Sequence, residues 1–231
     1  MPYYFFDYWY LILVVPALLV TVFAQIKVKT TFKKYSRLGV ASGLTGAAAS
    51  QQIMRAHGMR LACLPTAGSL TDHYDPRNQS IHLSEPVYGV SSVAAVGVAA
   101  HETGHALQYA ANYWPVSLRM AMIPVTRFAS AAAPWLLIAG IALSFEPLLY
   151  LGVFFFGAAV LFQLVTLPVE FDASRRALAE LRAGQMLTED ELKGAKKVLT
   201  AAAMTYVAAL LVSVMQFIRL LLIAASRSRR N

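Results

Sequence analysis

Leu143-Ser144-Phe145-Glu146-Pro147 divides an apolar region that runs from about residue 120 to residue 167. The region is too long for one membrane helix, because about 20 helical residues at 1.5 Å each cross the roughly 30 Å hydrocarbon core. Glu146 and Pro147 read as a tight turn. The spacing therefore predicts two helices, over about 125–145 and 148–167, closed into a membrane hairpin. Arg127, near the start of the first, can snorkel to the interface. Working outward, the apolar run 9–24 predicts another span, with Tyr3, Tyr4, Phe5, Phe6 and Tyr8 as an interfacial aromatic belt and Pro16 as a candidate kink. No basic segment precedes it and the first lysine is Lys27, which fits an anchor better than a cleaved signal peptide. A last apolar run, about 199–225, is interrupted by Gln216 and Arg219.

Composition agrees with four spans. Of 231 residues, 58% are hydrophobic and 14% charged, where soluble domains have about 45–50% and about 25%. Disorder, a collagen-like chain and a soluble coiled coil are excluded. The single cysteine, Cys63, excludes a disulfide scaffold and a multi-cysteine metal site. The net charge of +8 comes largely from residues flanking apolar runs. No nucleic-acid-binding motif accompanies it, so the bilayer, not nucleic acid, is the expected partner. Lys27, Lys29, Lys33, Lys34 and Arg37 directly follow the first run and put that end in the cytoplasm, with the N-terminus outside. Four spans then leave Arg227, Arg229 and Arg230 outside, against the same rule, unless the last helix is partly interfacial or re-entrant.

This reading divides the chain into a first transmembrane helix (1–24), a membrane-adjacent domain (25–118), a membrane hairpin (119–167), a polar helix and linker (168–198), and a fourth transmembrane helix with a basic tail (199–231). The two polar regions fall on one side of the membrane. Within the first, 41–57 reads as a helix capped by Gly58, and 64–77 as turn-rich, with Pro65, Gly68 and Asp75-Pro76. Residues 80–83 read as a short strand with Ile81 and Leu83 on one face. Ser91 or Ser92 then starts a helix that runs to about Ala111.

That last helix carries His101-Glu102-Thr103-Gly104-His105. Positions i and i+4 share a helix face, so both imidazoles can reach one Zn²⁺, and Glu102 beside them can take a proton from water. Zinc needs a third protein ligand and an open position. After the hairpin comes Leu167-Pro168-Val169-Glu170-Phe171-Asp172-Ala173-Ser174-Arg175-Arg176, where Pro168 suits a helix start. Glu170 is the expected third ligand. Asp172 points about 160° away by helical phase and fits better as a partner of Arg175 or Arg176.

These segments, with Leu70-Thr71-Asp72-His73-Tyr74-Asp75-Pro76-Arg77 and Ala106-Leu107-Gln108, resemble the YugP family of bacterial membrane zinc metallopeptidases over nearly the whole chain. A more distant similarity is to membrane metalloproteases of the HtpX and CAAX-prenyl-protease type. In those, a Glu-x-x-Ala-Asp helix follows HExxH and a hairpin, and here Ser174 stands where the aspartate usually does. The resemblance implies a gluzincin-type zinc site of His101, His105 and Glu170 with Glu102 as catalytic base, and a protein or peptide substrate. It also gives meaning to 78–83 as an edge strand able to pair with extended substrate. His73, Tyr74 and Arg77 become candidates for stabilising the oxyanion or binding substrate. Asp72 or Asp75 become candidates for orienting a metal histidine, and Ser174 and Arg175 for supporting roles.

The expectation is an all-α membrane protein of the bacterial plasma membrane with a small α+β, zincin-like cytosolic portion. It would act as a zinc endopeptidase. Two rivals stand beside that reading: a non-enzymatic membrane scaffold, which binds no zinc, and a zinc hydrolase acting on a lipid-linked or other non-protein amide. Oligomeric state and substrate identity have no signature in the sequence.

Overall fold

The computed structural model describes residues 7–228. Residues 1–6 and 229–231, and with them the aromatic belt at 3–6 and most of the basic tail, lie outside the described residues. The chain forms two compact units. One takes in Ser117–Leu167 with the chain before Gln25 and after Met204; the other is Gln25–Val116 with Pro168–Met204.

The first unit is helical. A π-helical turn, Tyr10–Val14, leads into α1, Val15–Tyr35. The Val15 N–H bonds the Tyr10 carbonyl, a wider turn immediately before Pro16. Pro16 has no N–H for the regular ladder and crowds the preceding turn, so this is where the helix accommodates it. Next come α5 (Trp114–Ala142), α6 (Glu146–Ala183) and α7 (Glu189–Ser228). The hairpin turn falls between Ala142 and Glu146. Glycines let its helices meet: a Cβ on Gly140 would lie 2.6 Å from the Leu149 nitrogen, and one on Gly152 2.8 Å from Leu137. Such close approach through small residues is how helices pack where lipid offers no hydrophobic drive. Four helices, Tyr10–Tyr35, Trp114–Ala142, Glu146–Ala183 and Glu189–Ser226, are long and apolar enough to cross a membrane. Trp135 and Phe154 are each 74% exposed, an orientation suited to lipid rather than water. Arg219, by contrast, is buried and donates to Asp7 at 3.1 Å, with its guanidinium 5.2 Å from the Tyr10 ring. The start of the first span and the far end of the last therefore lie at one end of this unit.

The second unit is built around α4, Val93–Ala110, which follows the short α3, Glu85–Tyr88. Its buried residues are mostly Ala, Gly and Val because it is covered on both sides. Val93, Val96, Ala100 and Leu107 join Ala177, Leu181, Ala195 and Val198 in one core. Ala95, Ala99 and Ala106 join Ile81, Leu83 and Val87 in another. α2, Gly46–Ala56, is capped by the Thr45 hydroxyl accepting from the Ala48 N–H at 3.2 Å. It therefore starts several residues later than expected, where a capping side chain is available. Gly58 follows it with φ +65, as a helix-ending glycine should.

The sheet departs from expectation. It has three strands, β1 (Ala62–Thr66), β2 (His73–Asp75) and β3 (Ser80–Ser84), in the order β1-β3-β2. β1 is parallel to β3, with Leu64 opposite His82; β2 is antiparallel to it, with His73 opposite His82. The strand read at 78–83 as an edge is thus the centre of the sheet. The stretch 64–77, read as turns, holds the second half of β1 and all of β2, the two outer strands. Pro65 is compatible with an edge, where a missing N–H costs little, and three residues are too few to show alternation. Pro168 likewise starts no helix. It lies inside α6, which continues from the hairpin past Glu170 to Ala183. Val169, Ala173 and Ala177 there are completely buried, and this packing outweighs the lost helical N–H.

At Gly46 an added Cβ would collide with the Val87 carbonyl oxygen. Gly46→Ala is expected to destabilise the folded protein by about 1–3 kcal/mol, as overpacking does, despite alanine's better helix propensity. Gly89→Ala, with open space around it, should be nearly neutral. Thermal denaturation of the two variants in detergent checks the difference.

Candidate metal centre

α4 begins where the Ser92 hydroxyl accepts from the Ala95 N–H at 3.2 Å. Two turns later the same helix presents His101 and His105, one turn apart. Their rings meet edge to face at 4.8 Å. Between them Gly104 faces α6. A Cβ here would sit 2.5 Å from the Ala173 carbonyl oxygen and 3.3 Å from its Cα. The two helices therefore touch backbone to backbone, and one turn along α6 the Glu170 carboxylate meets both imidazoles. Thr103 fastens the other side of α4, donating within a buried pair to Ser50 of α2 at 2.8 Å.

His101 Nε2 lies 3.4 Å and His105 Nε2 3.7 Å from Glu170 Oε2. Both separations exceed a charge-assisted hydrogen bond, about 2.7–2.9 Å. They approach the spacing of ligands around a tetrahedral ion, which bonds of about 2.0–2.1 Å set at about 3.3 Å. One ligand atom from each residue lies within 4.8 Å of the other two. Two neutral nitrogens and a carboxylate oxygen form a donor set that zinc accepts, with a fourth position left over. The residues present therefore fit a zinc ion.

The remaining ring nitrogens are held from behind. His101 Nδ1 is 3.1 Å from the Ser174 hydroxyl, and His105 Nδ1 is 3.0 Å from Gln108 Oε1. Glu170 is buried, which alone would raise its pKa, yet the imidazoles of His101 and His105 facing it hold the carboxyl well below the usual range. Burial also opposes charge on His105, but Glu170, Glu102 and Gln108 outweigh it and raise its pKa. In both, a buried negative oxygen draws positive charge toward itself. Glu102 is 9% exposed, and no hydrogen bond or ion pair among the described residues ties down its carboxylate.

The other sequence candidates divide. Ser174 joins the cluster through His101. Asp172 lies off it, accepting from Arg176 at 2.6 Å, from Arg175, and from Gln108 at 3.0 Å. Burial raises its pKa, but these donors lower it further. Arg175 is thus a partner of Asp172, with most of its side chain exposed. Asp72 orients no histidine: it accepts from the Ser84 N–H at 2.7 Å and from its hydroxyl, closing the end of β3. Asp75 accepts from the Arg77 N–H and the Asn78 amide within a turn. His73 stacks on His82 at 4.8 Å, and Tyr74 packs edge-on against Tyr109 of α4 at 5.3 Å. Burial of Tyr74 raises its pKa, with Tyr109 and Asp75 adding to it. Gln108 is a further residue of the cluster that the HExxH spacing does not point to. Its signal in the sequence is a large amide three positions after His105, in a helix whose first half is small and apolar.

A groove of about 590 Å³ opens beside Ser174, between the polar ends of α6 and α7. Phe171, Leu178, Leu192 and Leu199 line it, and Arg182 and Lys196 add positive charge.

Comparison with known proteins adds a family to this geometry. Residues 10–225 match the family model described as "Putative neutral zinc metallopeptidase". The chain is 45% identical over 215 residues to "Putative membrane protease YugP" of Bacillus subtilis (strain 168), an alignment covering 93% of this chain and 96% of that protein. No solved structure matches.

Gly104→Ala is expected to weaken zinc binding by at least tenfold, because the new methyl would push α4 from the Ala173 carbonyl and separate donors that now nearly touch. Gain in helix propensity, about 1 kcal/mol, does not offset a contact of 2.5 Å with backbone. Zinc titration of purified Gly104→Ala beside wild type measures this.

Proposed function

The chain belongs to this neutral zinc metallopeptidase family, and on that premise we infer that it is a membrane-bound zinc endopeptidase of gluzincin type. The observation that carries the reading is the convergence of His101, His105 and Glu170 on one point, with Glu102 beside them and no hydrogen bond or ion pair to its carboxylate among the described residues. Zinc held by these three residues would supply Lewis acidity, polarising a peptide carbonyl and easing the ionisation of water. Glu102 takes the proton from the attacking water and passes it to the leaving amine. Ser174 and Gln108 keep the imidazoles turned with Nε2 toward Glu170. The apolar, basic-edged groove beside Ser174 suits an extended polypeptide, and an outer strand of the sheet, β1 or β2, suits pairing with its backbone.

The four apolar helices and the relative's name support a membrane setting. We place the site on the cytoplasmic side of a bacterial plasma membrane. Lys33 and Lys34 in the last turn of α1, after Lys27 and Lys29, support that side. The Asp7–Arg219 pair supports a common, opposite side for the two chain ends, so the basic C-terminal residues remain an exception to the charge rule.

Elemental analysis of detergent-purified protein should give about one zinc per chain, sharply reduced in His101→Ala and in Glu170→Ala. Glu102→Gln should keep the zinc and lose about 10²–10⁴-fold of the hydrolysis of an unfolded protein substrate, the usual contribution of a general base. Full activity in Glu102→Gln would overturn the mechanism. No zinc in folded wild type would turn the reading to a scaffold. Zinc without any proteolysis would turn it to a hydrolase of another amide.

A further inference from the structure

Gln108 is completely buried, and its amide is engaged at both ends. Its nitrogen donates to the Val169 carbonyl at 2.7 Å and to Asp172 Oδ2 at 3.0 Å. Its oxygen lies 3.0 Å from His105 Nδ1. The partners decide which end is which. A carbonyl and an ionised carboxylate only accept, so the NH₂ must face them. The oxygen must then face His105, and an amide oxygen only accepts, so His105 Nδ1 must carry the proton. The lone pair is left on Nε2, the atom that faces Glu170. His101 is held differently, because the Ser174 hydroxyl can donate or accept and dictates no tautomer.

The far end of this chain of bonds is anchored. Asp172 is buried between Arg175 and Arg176, and the Arg176 guanidinium lies 5.6 Å over the Tyr113 ring. Arg175 donates to Asp172 Oδ1 and Arg176 to Asp172 Oδ2, so both carboxylate oxygens are engaged as acceptors. Val169 and Asp172 flank Glu170 on α6. The same amide thus ties the second histidine of α4 to the two residues around the carboxylate it must meet.

We propose that Gln108 is a positioning residue: held by Asp172 and the Val169 carbonyl, it fixes His105 in the Nδ1-protonated tautomer and registers it against Glu170. The proposal rests on the zinc reading above for its consequence, but not for the tautomer itself.

The test uses the full chain in detergent, with two readouts: zinc affinity by competition with a chromophoric chelator, and the side-chain ¹⁵N signals of His105 in metal-free protein at alkaline pH. Wild type should show His105 with the proton on Nδ1. Gln108→Met, similar in length but unable to hydrogen-bond, should show a tautomer mixture or an Nε2 proton, and zinc binding about ten- to a hundredfold weaker, the usual range for such outer partners. Asp172→Asn serves if Gln108→Met does not fold: its side chain can rotate to donate, and it should give a tautomer mixture with several-fold weaker zinc binding. Wild-type nitrogen signals and zinc affinity in folded Gln108→Met, or failing that in Asp172→Asn, would overturn the proposal, leaving Gln108 a packing residue. A wild type that binds no zinc but keeps the Nδ1 proton would overturn the metal reading and spare the positioning.

Discussion

At Gly104 the backbone of α4 lies against the carbonyl of Ala173 on α6. The polar geometry of the second unit hangs on that contact. The donors come from segments far apart in the chain, and their side chains are short: two imidazoles and one glutamate have little reach to make up a helix separation set by larger residues. Ala173 and Ala177 are completely buried on the facing side. Gly97, two turns before Gly104, meets Ala195 of α7 in the same manner, with an added Cβ 3.3 Å from the alanine methyl. Small residues on α4 therefore serve two ends. They allow burial on both sides, and they bring His101, His105 and Gln108 within hydrogen-bonding or ligand distance of α6.

Close packing carries an electrostatic cost, since it buries two carboxylates of α6 two residues apart. An isolated buried carboxylate is strongly unfavourable. Asp172 is compensated within the protein by two arginines and an amide. Glu170 instead faces the two histidines of α4, at distances longer than good hydrogen bonds. The pair shows how one helical turn can divide its acids. One is held by arginines of its own helix and used as an anchor, and the other is turned toward the two histidines of α4.

The membrane hairpin, the two-histidine helix and Glu170 were legible because each rests on a simple period: long apolar runs broken at Glu146-Pro147, and i, i+4 spacing. The sheet was not. β1 contains a proline and β2 has three residues, so neither alternates long enough to stand out, and β3 becomes central only through pairings distant in sequence. Pro168 misled for a related reason. A proline after an apolar run is a sound local sign of a helix start, but the burial of Val169, Ala173 and Ala177 is tertiary. Gln108 was visible and unread, since its meaning depends on Asp172 and Val169, which lie more than sixty residues away.

The charges around the cluster are in keeping with the proposed divalent ion. Glu170 and Glu102 bring two carboxylates, and the two imidazoles would be neutral as zinc ligands. Ser174 and Gln108, which hold the histidines, are neutral as well. Had carboxylates stood in both places, the surroundings would carry four negative charges, and a +2 ion would leave a buried excess. Asp172 is the remaining acid in contact with these supports, and Arg175 and Arg176 already offset it. Two carboxylates and three donors within reach of one point are the charge and the donor set that an ion of charge +2 would meet here.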